Sequence, residues 1–240
     1  MEEQKKQHDS NTATGHFHDR FLSIPHIYFA DKRWSNKKPH YVAQLPSLIT
    51  SRRFFMNETI SAMLSRRSIR SYKTRQVSDR DLNWILEAGI YAATSRNMQS
   101  WYLTAVQNSD LLKRLRDAAC ETMLKSDNER NREKALDPGF SPFYNAPTLI
   151  IVSGNESRNA RVDCANATQN MCVAANSLGL GSCYLASFTM AFEDPGVAVT
   201  LLRDLGIPDG YFPQFGVALG YAAEHPETPH RRRDVIRIIK

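Results

Sequence analysis

One run of seven residues, Pro147-Thr148-Leu149-Ile150-Ile151-Val152-Ser153, narrows the folds open to this chain more than any other. It is apolar without alternation. A strand with one wet face alternates apolar and polar residues, so a continuous run has both faces covered. Helices must therefore pack on both sides of a sheet, and the chain supplies them. Residues 58–66 read as a short helix with Ile60, Met63 and Leu64 at helical spacing. Ser78 reads as an N-cap with Asp81 in the capping-box position, followed by Leu82, Ile85, Leu86 and Gly89 on one stripe. Ser109 reads as the cap of a third helix with Leu112, Leu115, Ala119 and Met123 on one face. A long helix over 161–178 is rich in small residues, which permit close backbone approach at a deep site or a subunit interface. Gly179 and Gly181 end it. A further helix over 197–205 stops at Gly206 and Pro208.

Between these helices lie short strands at 101–107, 182–185 and 214–221, with a last one expected at 235–239. Residues 126–145 are polar and broken by Pro138, Gly139 and Pro142; they read as a long loop or lid beside a site. Short strands separated by helices give a mixed domain of helices and strands. It lacks the glycine-rich turn of a dinucleotide-binding βαβ unit, because Gly179-x-Gly181 closes a helix instead of opening one.

The chain of 240 residues is 42% hydrophobic and 23% charged, which suits one soluble domain with a full core and an appendage. No apolar run approaches the ~20 residues of a membrane helix. The polar N-terminus lacks a signal-peptide apolar core, so a cytoplasmic address is expected. Cys120, Cys164, Cys172 and Cys183 form no C-x-x-C pair and read as small buried hydrophobes in a reducing compartment, with no metal site.

Residues 1–55 differ from the rest. They hold five of the seven histidines, lack periodicity, and are punctuated by Pro25, Pro39 and Pro46. They read as a poorly ordered extension, with a metal-binding or targeting tail as the functional alternative. Met56-Asn57-Glu58-Thr59-Ile60 would also serve as a normal N-terminus. We divide the chain into this basic extension and a domain over 56–240.

The chemistry concentrates in Arg66-Arg67-Ser68-Ile69-Arg70. Guanidinium groups match phosphate bidentately, and cations this dense at a helix end repel one another unless an anion lies between them. On these five residues alone a solvated basic turn, a nucleic-acid backbone site and a phosphorylated-cofactor site all stand open. The charge distribution weakens the second. Of the net charge of +6, residues 1–55 contribute +4 from nine Lys/Arg against five Asp/Glu, so the basicity is not a stripe on the folded part.

Five stretches in register resemble the FMN-dependent nitroreductase family. They are Arg66-Arg67-Ser68-Ile69-Arg70, Ala93-Thr94-Ser95-Arg96-Asn97-Met98-Gln99-Ser100-Trp101, Tyr144-Asn145-Ala146-Pro147, Ala174 through Ser182, and Leu205-Gly206-Ile207-Pro208 through Leu219-Gly220-Tyr221 to Arg231-Arg232-Arg233. The resemblance spans about 57–240. It implies an α+β fold with a central, mainly antiparallel sheet flanked by helices, in a domain-swapped homodimer with FMN at the interface.

By the same resemblance, Arg66, Arg67 and Ser68 meet the phosphate and ribityl end, and Arg70 reaches the N1/O2 edge of the ring. Asn97, with Thr94 and Gln99, meets ring or ribityl atoms, partly from the second subunit. Leu185, Ala186 and Ser187 lie against the ring near N5. Arg232 aligns with a C-terminal phosphate ligand, with Arg231 and Arg233 close in register. NADH or NADPH is the implied hydride donor, and a nitroaromatic or quinone the implied acceptor. No acid, base or nucleophile is required, so no catalytic residue is named. A nicotinamide-independent flavin dehydrogenase or dehalogenase of this fold is the alternative, and a non-catalytic flavin- or nucleic-acid-binding regulator is another. The family often has proline where this chain has Ala93 and Ser100, so the intervening loop is expected to be less rigid.

Overall fold

The computed structural model describes residues 57–240; the readings made for the N-terminal extension lie outside them. The apolar run from Pro147 forms β2 (Thr148–Gly154), and all seven residues of the strand are buried. It pairs antiparallel with β1 (Trp101–Val106) on one side and with β4 (Phe212–Gly220) on the other. β4 also pairs antiparallel with β3 (Gly181–Leu185), giving the order β1-β2-β4-β3.

Alternation along β2 divides the core. Leu149 and Ile151 face one apolar cluster with Leu112, Leu115 and Ala119 of α3 (Ser109–Leu124), Leu201 of α6 (Pro195–Asp204) and Phe188. Ile150 and Val152 face the other, with Leu82 and Ile85 of α2 (Asp79–Ile90) and Cys164, Ala167 and Met171 of α5 (Ala160–Ser177). The sheet is therefore the middle of three layers. α1 (Glu58–Ser65) packs on α5.

The helix ends follow side-chain chemistry. Ser78 Oγ accepts the Asp81 N–H at 3.2 Å, as the sequence predicts. α3 is capped one residue earlier than expected, by Asn108, whose Oδ1 accepts the Leu111 N–H at 2.9 Å. Both Asn and Ser are good caps, and Asn108 has the extended backbone the role needs. α5 ends in a Schellman turn: Gly179 has φ +74°, and the Leu180 N–H reaches the Ala175 carbonyl at 2.8 Å.

Three expectations change. The stretch 126–145 contains a helix, α4 (Glu129–Leu136), capped by Asn128. It buries no residue, so it has no apolar stripe to betray it. A short 3₁₀ helix, Ser187–Phe192, follows β3 and inserts Phe188 into the core. The strand expected at 235–239 does not form within the described chain, and Val235, Ile236, Ile238 and Ile239 stand exposed.

Gly216 on β4 is where the two layers press closest. A Cβ there would lie 2.8 Å from Phe188 Cε1 and 3.2 Å from the Ile150 carbonyl oxygen. Phe188 is fully buried and has nowhere to retreat. Gly216→Ala is expected to destabilise the fold by about 1–3 kcal/mol through overpacking. Urea unfolding checks this; an unchanged midpoint would show that the interface is looser than its geometry.

Candidate functional site

The arginine cluster is not a free turn. Asn176 of α5 donates from Nδ2 to the Ala62 carbonyl and to Ser65 Oγ, both at 2.9 Å, and so fixes the end of α1. The chain then runs along the outer edge of the sheet. Ser68 bridges to Ser182 in parallel, and the Ile69 N–H donates to the Ser182 carbonyl at 3.0 Å. Tyr72 bridges to Ala222, and the Lys73 N–H reaches the Tyr221 carbonyl at 2.8 Å. Ile69 is buried and anchors the segment.

The three guanidinium groups are treated differently. Arg66 Nη1 is buried and has no hydrogen-bond partner among the described residues. Arg67 Nη1 donates to the Leu64 and Arg66 carbonyls, each at 2.8 Å, and its Nη2 donates to Thr228 Oγ1. Arg70 is exposed; its backbone N–H donates to a Glu224 carboxylate oxygen, and its guanidinium lies 5.8 Å from the Tyr144 ring centroid. A cleft of about 360 Å³ beside them is lined by Arg67, Asn176, Gly181, Ser182, His225 and Thr228, among others. A buried cation without a partner is costly unless an anion or hydrogen-bond acceptor joins it. The donor set beside this cleft fits a phosphate.

Leu185, Ala186 and Ser187 share this edge of the sheet. Leu185 is buried, whereas Ala186 and Ser187 are exposed. Ser187 Oγ donates to the Pro142 carbonyl at 2.8 Å, which ties the end of β3 to the segment carrying Tyr144.

Thr94, Asn97 and Gln99 lie elsewhere. They precede β1, on the opposite edge of the sheet, and their loop is held at the start of α5. Asp163 Oδ1 accepts the Ser95 N–H at 3.2 Å, and Asn166 Nδ2 donates to the Ala93 carbonyl at 3.1 Å. Asn176, beside the arginines, lies thirteen residues further along the same helix. At about 1.5 Å rise per residue the two ends are roughly 20 Å apart. The structure therefore does not bring these two groups of predicted residues together within one chain.

Hydrogen bonds stand where the missing prolines would stiffen this loop. Thr94 Oγ1 accepts the Gln99 N–H at 3.3 Å, and Ser157 Oγ donates to buried Ser100 Oγ at 2.9 Å. Arg96, Asn97 and Gln99 all adopt left-handed backbone, with φ of 51°, 54° and 47°. The loop is more tightly specified than its lack of proline suggests.

Arg231 and Arg232 are exposed in the C-terminal segment, and Arg232 forms a bidentate pair with Asp234 at 3.1 and 2.8 Å. Sequence reasoning missed Glu224 and Thr228. Each sits more than 150 residues from its arginine partner in an irregular segment, with no periodicity to mark it.

The three buried thiols are poor nucleophiles. Burial pushes Cys172 up to about 11 and Cys164 up to about 12, and raises Cys183 as well. A thiol held this high carries almost no thiolate near neutral pH. Among the described residues no group of His, Cys, Asp and Glu could hold a metal ion, and no helix is long and apolar enough to cross a membrane.

Residues 63–221 match the model of the nitroreductase family. The chain belongs to the nitroreductase family. It is 30% identical over 173 residues to a putative NADH dehydrogenase/NAD(P)H nitroreductase of Archaeoglobus fulgidus, covering 72% of this chain and 90% of that protein. Among solved structures, a nitroreductase with bound FMN from Bacteroides fragilis superposes with a TM-score of 0.72 at 36% identity, covering 77% of this chain and all of that one. A second, from Desulfitobacterium hafniense and also with bound FMN, gives 0.72 at 29% identity over 78% of this chain and all of its own. The nitroreductase fold thus accounts for the α+β architecture and the antiparallel sheet described above.

Proposed function

We propose that the chain is an FMN-dependent oxidoreductase that takes a hydride from NADH or NADPH and passes it to a nitroaromatic, a quinone or a related flat acceptor, one substrate after the other at a single site. The observation that carries this reading is the buried Arg66 Nη1, without a hydrogen-bond partner among the described residues, in a cluster pinned to the sheet edge. FMN-bound relatives of the same fold support it.

Arg66, Arg67 and Ser68 hold the phosphate and ribityl end, and Arg231 or Arg232 adds a cation from the C-terminal segment. Arg70 places positive charge at the N1/O2 edge, where electron density gathers on reduction. Leu185, Ala186 and Ser187 would lie against the ring near N5 largely through backbone groups, since the Leu185 side chain is buried in the core. Bound FMN supplies the N5 atom that accepts and returns the hydride, so the protein contributes position and field. Thr94, Asn97 and Gln99 lie too far along α5 to serve the same cofactor, so they serve the site of a second subunit. The functional unit is therefore a homodimer. A cytoplasmic location accords with four free cysteines, three of them buried. The FMN-binding domain spans 56–240.

The purified protein is expected to be yellow and to bleach on addition of NADPH or NADH, with colour returning when menadione or nitrofurazone is added. A yellow protein that neither nicotinamide bleaches would favour a flavin dehydrogenase or dehalogenase of the same fold. A colourless protein that takes up no FMN would refute the reading.

A further inference from the structure

Arg70 differs from its two neighbours. It is exposed, yet three contacts fix it. Its backbone N–H is held by the Glu224 carboxylate. Its Nη1 lies 3.4 Å from the Ser68 carbonyl oxygen, and its guanidinium lies 5.8 Å from the Tyr144 ring centroid, within cation–π range. An exposed arginine otherwise samples many rotamers.

Tyr144 is itself constrained. It has φ +59°, which a bulky residue adopts only where its surroundings over-determine it. The surroundings do so here. The Tyr144 N–H donates to the Ser141 carbonyl at 3.0 Å, and the next residue, Asn145, is also left-handed and donates from Nδ2 to the Gly139 carbonyl at 3.2 Å. The Ser187 contact to Pro142 secures the segment from the far side. The Arg70 pKa is raised above its ordinary value, first by its contact with Tyr144 and, among smaller causes, by the nearby carboxylate of Glu224, while burial acts in the opposite sense.

We propose that Tyr144 and Glu224 are positioning residues for Arg70: the tyrosine ring holds the guanidinium in place, and the carboxylate offsets part of the charge it presents to the flavin ring edge. This rests on the reading that Arg70 meets that edge. Its sign is definite. Reduced flavin carries extra negative charge, so a nearby anion opposes reduction and a held cation favours it. The wild-type potential is then a balance between Arg70 and Glu224, set by side chains that need not touch the cofactor.

The holoenzyme tests it through the midpoint potential of bound FMN, measured against a reference dye. Glu224→Gln keeps an oxygen for the Arg70 N–H but removes the charge. It is expected to shift the balance toward reduced flavin by about threefold to tenfold, which is about 14–30 mV for a two-electron couple. Tyr144→Leu is expected to shift it by about threefold the other way, because the guanidinium is released. The Tyr144→Leu shift should shrink in an Arg70→Gln background, since the ring acts through Arg70, whereas the Glu224→Gln shift should remain, since the carboxylate's field acts on the flavin directly. An unchanged potential in both variants overturns the proposal, and so does a Tyr144→Leu shift that persists undiminished without Arg70. If Arg70→Gln alone leaves the potential unchanged, Arg70 is not at the ring edge. That outcome is distinct, because Glu224 dependence is read in the wild-type background. FMN dissociation constants and thermal unfolding measured on each variant separate a shift in potential from loss of cofactor or fold.

Discussion

Replacing Arg67 with alanine is expected to lower FMN affinity by a factor on the order of 10–100, from the loss of one charge-assisted contact worth ~1.5–3 kcal/mol. Arg67 does two things at once. It lines the cleft, and it ties the end of α1 to the C-terminal segment through the Leu64 carbonyl and Thr228. Arg66→Ala is expected to lower affinity over a similar range, by a different route. Its buried Nη1 has no hydrogen-bond partner among the described residues, so its removal breaks no hydrogen bond there and takes a free donor from an incoming anion. The two variants therefore differ in stability: Arg67→Ala loses hydrogen bonds that exist without cofactor, whereas the Arg66 side chain makes none among the described residues. Equilibrium dialysis against FMN, with apoprotein melting measured in parallel, distinguishes them. Unchanged FMN affinity in both single variants would sink the phosphate site.

What could be read from the sequence was what repeats locally. β2 was plain because a continuous apolar run has one physical explanation. The stripe Leu112, Leu115, Ala119, Met123 was plain because its spacing matches a helix turn, and the same four residues are buried on α3. α4 escaped because it is polar all round and packs no residue into the core. The site was legible as cations but not as an arrangement. Nothing local shows that Ser68 would lie against Ser182, or that Glu224 would hold Arg70, since those pairings are made by the sheet. The left-handed run at Arg96, Asn97 and Gln99 was hidden for another reason. Only Asn tolerates that conformation readily, and the hydrogen bonds that enforce it come from α5 and from the loop itself.

On the function proposed above one chain supplies half of a site, and the geometry of α5 gives the reason. α5 carries the arginine cluster at its C-terminal end and the Asn97 loop at its N-terminal end. A helix is stiff, so these two groups cannot approach one another by side-chain adjustment. A second copy running the other way would bring the loop of one chain to the arginines of the next, as closed two-fold symmetry permits. The small residues Ala165, Ala174 and Ser177 leave parts of α5 able to meet another backbone closely.

Deleting residues 234–240 is expected to weaken dimerisation and FMN binding together, each by about tenfold or more, or about 1.4 kcal/mol. Val235, Ile236, Ile238 and Ile239 are 63–85% exposed, an apolar run with nothing to cover it in the described chain. The sheet has a matching vacancy. β1 is an edge strand, and its outer edge pairs with no other strand among the described residues. An unpaired edge and an unpaired apolar segment on identical chains satisfy each other by exchange, which covers both. The deletion removes no proposed FMN contact. It even removes Asp234, the partner of Arg232, and so leaves that guanidinium freer to meet a phosphate. If the segment acted only through its own chain, FMN affinity would hold or rise. A fall in affinity that tracks the fall in dimer population, followed by light scattering and flavin fluorescence across protein concentration, means that the second subunit completes the site. A truncated protein that stays dimeric with full FMN occupancy would leave the C-terminal residues as surface decoration, and the β1 edge would need another partner.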